Sequence, residues 1–307
     1  FRAGGGRNIA FDIARIVSMF LIVVSHFLKH GEFMGNMTGV NFVFGRIFYS
    51  ISSPSVNIFV LISAYFTCCS AKIKWKKLIK LYAQVWAYSI VLFIVFIIVN
   101  GKESFSVQWL FSSLFPVVCG KYWFFSSYIF MMMAAPFLNI IINNIERGYC
   151  AVWFILLYFV GAFIRKYDIK ISKKRVYIPI LAYITTLIVG YFAYTSHGSL
   201  VRSVSAIVII LALKDVKIKS GFASKFVVSL SSEMFGVYLI HDSNEMRGYM
   251  YENIFHCSKY YQNEYAFFIM LGFSVVTFVS CIVIEIVRQR LESIIEKFIL
   301  CTKKMIV

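Results

Sequence analysis

Apolar runs of 14 to 23 residues alternate with short polar or basic segments along nearly the whole chain. Runs near twenty residues read as membrane-crossing helices. The first is Asn8–Leu28, the second Arg46–Cys68 with Pro54 inside it, and the third Leu81–Val99. A polar link, Asn100–Ser106, leads to a shorter apolar piece, Val107–Val118, which holds Pro116. Further spans are expected at Lys121–Ile142, Tyr149–Ile164, Val176–Tyr194, Leu200–Leu213, Phe226–Ile240 and Tyr265–Val287. Basic segments punctuate them at Lys72–Lys80, Arg165–Arg175 and Lys214–Lys225, and the tail after Val287 is basic again. No internal repeat, low-complexity run or phosphate-binding glycine loop is visible. The opening Phe1–Gly6 does not begin with Met and reads as a scar or a truncated start.

Composition agrees with the pattern. The chain of 307 residues is 60% hydrophobic and 15% charged, whereas soluble domains are nearer half apolar and a quarter charged. The spans leave no room for a large soluble domain. A formal charge of +17 could signal nucleic acid. The basic residues, however, fall in short clusters between apolar runs, which is the positive-inside pattern. With the N-terminus, the three basic loops, the tail and Arg147 on the cytoplasmic side, 24 of the 31 Lys and Arg lie there. Nine spans cannot leave both ends and all three loops on one side. Either Val107–Val118 crosses, or a further crossing lies near Asn143–Tyr149. Twelve residues fit a re-entrant piece better than a crossing. The seven cysteines have no metal-ligand spacing, and no metal or disulfide is expected. No small-residue cleavage site follows the first span, so no signal peptide is expected.

The first run, NIAFDIARIVSMFLIVVSHFL, carries an acid, a cation and an imidazole. Ionisable side chains in a span are costly and mark functional positions. At 3.6 residues per turn, Arg15 and His26 share one helix face, about 16 Å apart, with Asp12 beside Arg15 at i, i+3.

These residues carry a resemblance. An acid, Arg15 three residues later, then His26 after ten more is similar to the first span of the acyltransferase-3 family of bacterial integral membrane acyltransferases. FVLISAYF (Phe59–Phe66) resembles the family's F-x-x-S-G-F end of span two, with Ala64 where Gly is usual. Lys77 and Lys80 stand where two Arg separated by two residues are common. WFFSSYIFMMMAAPFL (Trp123–Leu138) and FGVYLIH (Phe235–His241) resemble two later blocks. Gly161, in LLYFVGAFIRKY, looks like the family's sixth span, which favours a crossing near Asn143–Ala151 over one at Val107–Val118. The resemblance spreads over most of the chain and makes residues 1–307 one integral membrane domain. The fold it implies is all-α, a polytopic helical bundle of nine or ten spans with a central polar cavity.

The activity it implies is transfer of an acyl group, most often acetyl from acetyl-CoA, to a hydroxyl of a capsular or cell-envelope polysaccharide or its lipid-linked precursor. The place is a bacterial cytoplasmic membrane, with the N-terminus inside; membrane lipid and the glycan are the partners, and nucleic acid is not. His26 would take the proton of the acceptor hydroxyl; a covalent acyl-histidine is the alternative that the sequence leaves open. Arg15 would hold the donor's phosphates or polarise its thioester, with Asp12 orienting it. Lys77 and Lys80 suit a CoA phosphate, though positive-inside charge explains them equally. Trp123 and Tyr128 could line the pantetheine arm or the acceptor path, or simply belong to an aromatic belt. His241 and Glu233 are expected on the acceptor side, or as hydrogen-bonded structural groups. A different class, a transporter or flippase for a lipid-linked glycan, would also use intramembrane Asp, Arg and His. The paired broken helices common in transporters are not evident.

Overall fold

A computed structural model describes residues 8–67, 75–101, 105–138, 151–169, 200–216, 218 and 221–306, with isolated positions between 177 and 191. Its longer helices are α1 (Ile9–His30), α2 (Phe33–Asn36), α3 (Gly39–Ser52), α4 (Ser55–Thr67), α5 (Trp75–Asn100) and α6 (Val107–Leu114). They continue with α7 (Trp123–Leu138), α8 (Ala151–Lys166), α9 (Leu200–Leu213), α10 (Phe222–His241), α11 (Asn244–Tyr249) and α12 (Ala266–Ile306). There is no strand among the described residues. Among the described residues, five stretches are long and apolar enough to cross a bilayer: Ile9–His30, Gly39–Phe66, Trp75–Asn100, Phe222–His241 and Ala266–Ile295. Trp123–Met133 and Arg202–Leu213 are shorter apolar helices. The chain is a multi-pass, all-helical membrane protein. Exposed Val275, Val279 and Val283 stripe α12, and exposed Val91, Ile94 and Ile98 stripe α5, as lipid-facing surfaces require.

Several boundaries move. The second span begins at Gly39 rather than Arg46, and Pro54 divides it into α3 and α4. Proline removes a backbone donor and crowds the preceding turn. The basic segment before span three is partly helical, since α5 starts at Trp75. Lysine is a good helix former, and its long stem lets the charge reach the interface. The span expected at Val176–Tyr194 falls almost wholly outside the described residues.

Contacts set the relative directions. Ser231 Oγ donates to Asp12 Oδ1 at 3.0 Å, and His26 meets His241 at 3.0 Å, so α1 and α10 run parallel. Lys80 faces Glu292 and Gln84 faces Glu285, so α5 and α12 run antiparallel. One end of the bundle therefore carries Asp12 and Arg15, and the other carries His26 and His241. Asn8 caps α1 by accepting from the Ala10 amide at 2.9 Å and donates to the Lys214 carbonyl at 3.0 Å, which fixes the start of α1 against the end of α9.

α4 and α8 meet at Gly161, where a Cβ would lie 2.8 Å from the Ala64 Cβ and 3.0 Å from the Leu61 carbonyl oxygen. Small residues permit this close approach of helices. Arg165 donates to the Tyr65 hydroxyl one turn further on. α7 runs parallel to α8, because Phe124 packs on Phe154 and Tyr128 and Gly161 both lie level with Ser63–Ala64. The link between them, 139–150, lies outside the described residues, and with it most of the crossing expected near Asn143–Ala151.

Val107–Val118 does not cross. α6 has eight residues, about 12 Å, against a hydrocarbon core near 30 Å. Trp109 and Lys121, at the two ends of this segment, both bond Glu245, so the chain leaves and returns at the His241 end. The left-handed backbone at Gly120 (φ 64°) makes the turn into α7, a conformation that glycine adopts without penalty.

Candidate functional site

A cavity of about 530 Å³ lies between α1, α4, α5, α7 and α10. It touches Arg15 toward one end of the bundle and His26 and Asp242 toward the other. Its wall includes Phe59, Phe124 and Phe235, with Lys77, Ser231 and Ser232 as further polar groups.

α1 supplies two of these groups because its helical repeat returns every eleven residues to the same face. Arg15 Nη1 donates to Asp12 Oδ1 at 3.2 Å. Asp12 is buried, and the same oxygen accepts from Ser231. The carboxylate thus holds the guanidinium in one direction. Arg15 also lies over the Phe66 ring at 5.9 Å.

At the other end, hydrogen bonds fix the state of two imidazoles. His241 is fully buried, and its Nδ1 lies 2.6 Å from the Val237 carbonyl oxygen. A carbonyl only accepts, so that nitrogen carries the proton, and neutral His241 then presents an unprotonated Nε2. His26 Nδ1 sits 3.0 Å from that Nε2 and 3.2 Å from Asp242 Oδ1. Both neighbours accept, so His26 carries its proton on Nδ1, and its Nε2 holds the lone pair. A base held by its other nitrogen against a carboxylate is the arrangement of hydrolytic triads. Asp242, the C-cap of α10, is itself gripped by Arg247 through Nε at 3.1 Å and through Nη2.

His30 completes a cluster in which one donor atom each from His26, His30 and Asp242 lies within 4.8 Å of the others. Such a triplet has the chemistry of a metal site. Here the Asp242 oxygen nearest His26 already receives the Arg247 guanidinium, which a divalent ion would have to displace. Around Asp242, the hydroxyls of Tyr122 and Tyr251 are buried with no partner among the described residues. Burial, and then the Asp242 carboxylate, push the Tyr251 phenol upward, so it stays a protonated donor.

The structure therefore gathers Arg15, His26, Lys77, Trp123 and Tyr128 around one cavity. Tyr128 shares a hydrogen bond with Ser63, another lining residue. It separates three other residues from that group. Lys80 points away to Glu292 at 3.4 Å. His241 stands behind His26 with both nitrogens engaged. Glu233 is also set apart from the cavity group. It lies two residues from Ser231, at the Asp12 end, and accepts from Gln289 of α12 at 2.8 Å and from Ser232 at 3.1 Å. Asp242 is the residue the spacing of motifs does not single out. Its one signal in the sequence is an acid directly after the histidine that closes FGVYLIH.

Residues 8–157 match the family model described as an acyltransferase domain, a stretch that contains Asp12, Arg15, His26, Lys77, Lys80, Trp123 and Tyr128. No curated protein and no solved structure gave a match. With its first-span triad and its apolar helices, residues 8–157 of this multi-pass membrane protein thus form an acyltransferase domain of the acyltransferase family 3 type.

Proposed function

We propose that this acyltransferase takes acetyl from acetyl-CoA and transfers it to a hydroxyl of a cell-envelope or capsular polysaccharide, or of its lipid-linked precursor. The single observation that carries this reading is the continuous cavity running from Arg15 and Lys77 to His26 and Asp242. A CoA donor is a polyanion at one end and a thioester at the other. Arg15 and Lys77 offer two cations for the phosphates, and Arg15 can bind them in a bidentate way. Phe59, Phe124 and Phe235 give the arm an apolar wall. The thioester then lies beside the His26 Nε2 lone pair.

In the step we propose, His26 Nε2 accepts the acceptor hydroxyl's proton as its oxygen attacks the thioester carbonyl. The C–S bond breaks, the C–O bond forms, and the proton passes from His26 to the departing thiolate. The positive charge held on His26 in between is stabilised by Asp242 at 3.2 Å. In this reading the basic Arg15 end lies in the cytoplasm, where CoA is found, and the His26 end faces the glycan across a bacterial inner membrane.

The test is acetyl transfer from radiolabelled acetyl-CoA by the full chain in lipid nanodiscs, with de-O-acetylated envelope polysaccharide from a deletion strain as acceptor. Wild-type protein should label the polysaccharide, and His26→Ala should lower the rate at least about a thousandfold, in the range seen for loss of a general base with its supporting groups. Normal transfer by His26→Ala, or a wild type that moves the glycan and ignores acetyl-CoA, would overturn the reading.

A further inference from the structure

A second pocket, of about 300 Å³, opens at the His241 end of the bundle between the α6 turn and the start of α11. Trp109, Ser112, Cys119, Lys121, Asn244 and Glu245 line it. At its base is a buried ion pair: Lys121 Nζ lies 2.6 Å from Glu245 Oε1, with the two side chains 3% and 6% exposed. Trp109 Nε1 donates to the same oxygen at 2.7 Å, and Lys121 also reaches Ser113 Oγ at 3.1 Å. Glu245 Oε2 is buried and has no partner among the described residues. Burying a carboxylate oxygen without a donor is costly. A carboxylate satisfied on one oxygen and bare on the other, in the wall of a pocket, points to a donor that arrives with a ligand.

The chemistry of the lining narrows the ligand. Lys121 and Glu245 cancel, so the pocket favours a neutral molecule over an ion. An indole beside Asn, Ser and carboxylate groups suits a pyranose, which has an apolar C–H face and a rim of hydroxyls. Position narrows it further. Asn244 and Glu245 follow Asp242 by two and three residues. At most about 3.6 Å per residue, Glu245 lies within about 11 Å of Asp242 along the chain. The corner between α10 and α11 thus offers Asp242 to His26 and Glu245 to the second pocket.

We infer that Trp109, Asn244, Glu245 and Lys121 form a sugar subsite that holds the residue of the glycan next to the one acylated. A hydroxyl of that sugar donates to Glu245 Oε2, and its ring rests against the Trp109 indole. This rests on the glycan acceptor proposed above.

The experiment measures binding and transfer side by side. The probes are mono-, di- and larger oligosaccharides released from the de-O-acetylated envelope polysaccharide of the native host and labelled at the reducing end with 2-aminobenzamide. Fluorescence anisotropy with the full chain in nanodiscs gives the affinity. Wild type should bind the larger fragments at least tenfold more tightly than the monosaccharide. Asn244→Ala, at an exposed position, and Glu245→Gln should each remove about tenfold of that gain, while binding of acetyl-CoA reports that the fold is intact. Asn244→Ala covers the case in which Glu245→Gln, by leaving Lys121 unpaired, fails to fold. Fragments that do not bind wild type, or that bind both variants as tightly, overturn the subsite. Fragments that bind and lose affinity in the variants, but receive no acetyl, uphold the subsite and overturn the acetyl-transfer reading.

Discussion

Replacing Asp242 by Asn tests whether the carboxylate acts on the chemistry or merely on the fold. The shape of the side chain is kept and the charge is removed. In the wild type, Asp242 Oδ1 lies 3.2 Å from His26 Nδ1. When His26 becomes charged, a unit pair at that distance interacts by about 5 kcal/mol at an effective dielectric of 20. Arg247 shares the same oxygen and opposes a second cation, so the full figure is an upper bound. The lower bound is a hydrogen bond to a charged group, about 1.5 kcal/mol. Between these limits kcat should fall about a hundredfold, since each 1.4 kcal/mol is a factor of ten. The assay is steady-state acetyl transfer with both substrates varied. The KM for acetyl-CoA should stay near the wild-type value, because Arg15 and Lys77 are untouched. Asp242→Glu should recover part of the rate, which a purely structural lesion would not. An Asp242→Asn variant within threefold of wild-type kcat would refute the assignment of Asp242 as the group that steadies charged His26.

Three further outcomes are expected. Lys77→Ala should raise the Kd for acetyl-CoA about tenfold in equilibrium binding, and Lys80→Ala should change it less than twofold, because only Lys77 lines the cavity and Lys80 is turned to Glu292. Gly161→Leu should lower the thermal midpoint in detergent by many degrees, and Gly161→Ala by fewer, because a Cβ there meets Ala64 and the Leu61 carbonyl; overpacking of this kind costs about 1–3 kcal/mol. In a variant whose cysteines are reduced to two, exposed Cys119 should react with maleimide at pH 7 well before Cys257, whose thiol burial pushes up to about 12. Only about one Cys257 in 10⁵ is then a thiolate at that pH, and its labelling should quicken as pH rises, measured by mass spectrometry.

Much of the candidate site was legible in the sequence, because it lies on one helix. Within Asn8–Leu28 the spacing of Asp12, Arg15 and His26 fixes their shared face without knowledge of any neighbour. Residues on other helices were harder, because their faces depend on which helix lies opposite. Ser231 and Glu233 are two residues apart, about 200° around α10. One meets α1 and the other α12, and nothing in the local pattern ranks those faces. The same holds for Lys77 and Lys80, which charge distribution alone treats as equivalent. Asp242 was hidden for another reason. Its value arises where two parallel helices end at the same level, and that is a property of docking rather than of periodicity. Short apolar pieces were ambiguous as well. Val107–Val118 reads as half a crossing until its two ends are seen converging on Glu245.

The guanidinium and the imidazole that face the cavity are mounted on one unbroken helix, and this makes α1 a ruler. The rod cannot stretch, so the gap between the two marks is set by the count of residues between them, whatever their identity. An extra residue inserted after position 15 would swing His26 about 100° off the cavity wall and lengthen the gap by about 1.5 Å. Composition between the marks is therefore free to drift within apolar limits, while length is not. On the proposed reading, a donor whose handle and reacting carbon are spaced differently would register on one mark and miss the other.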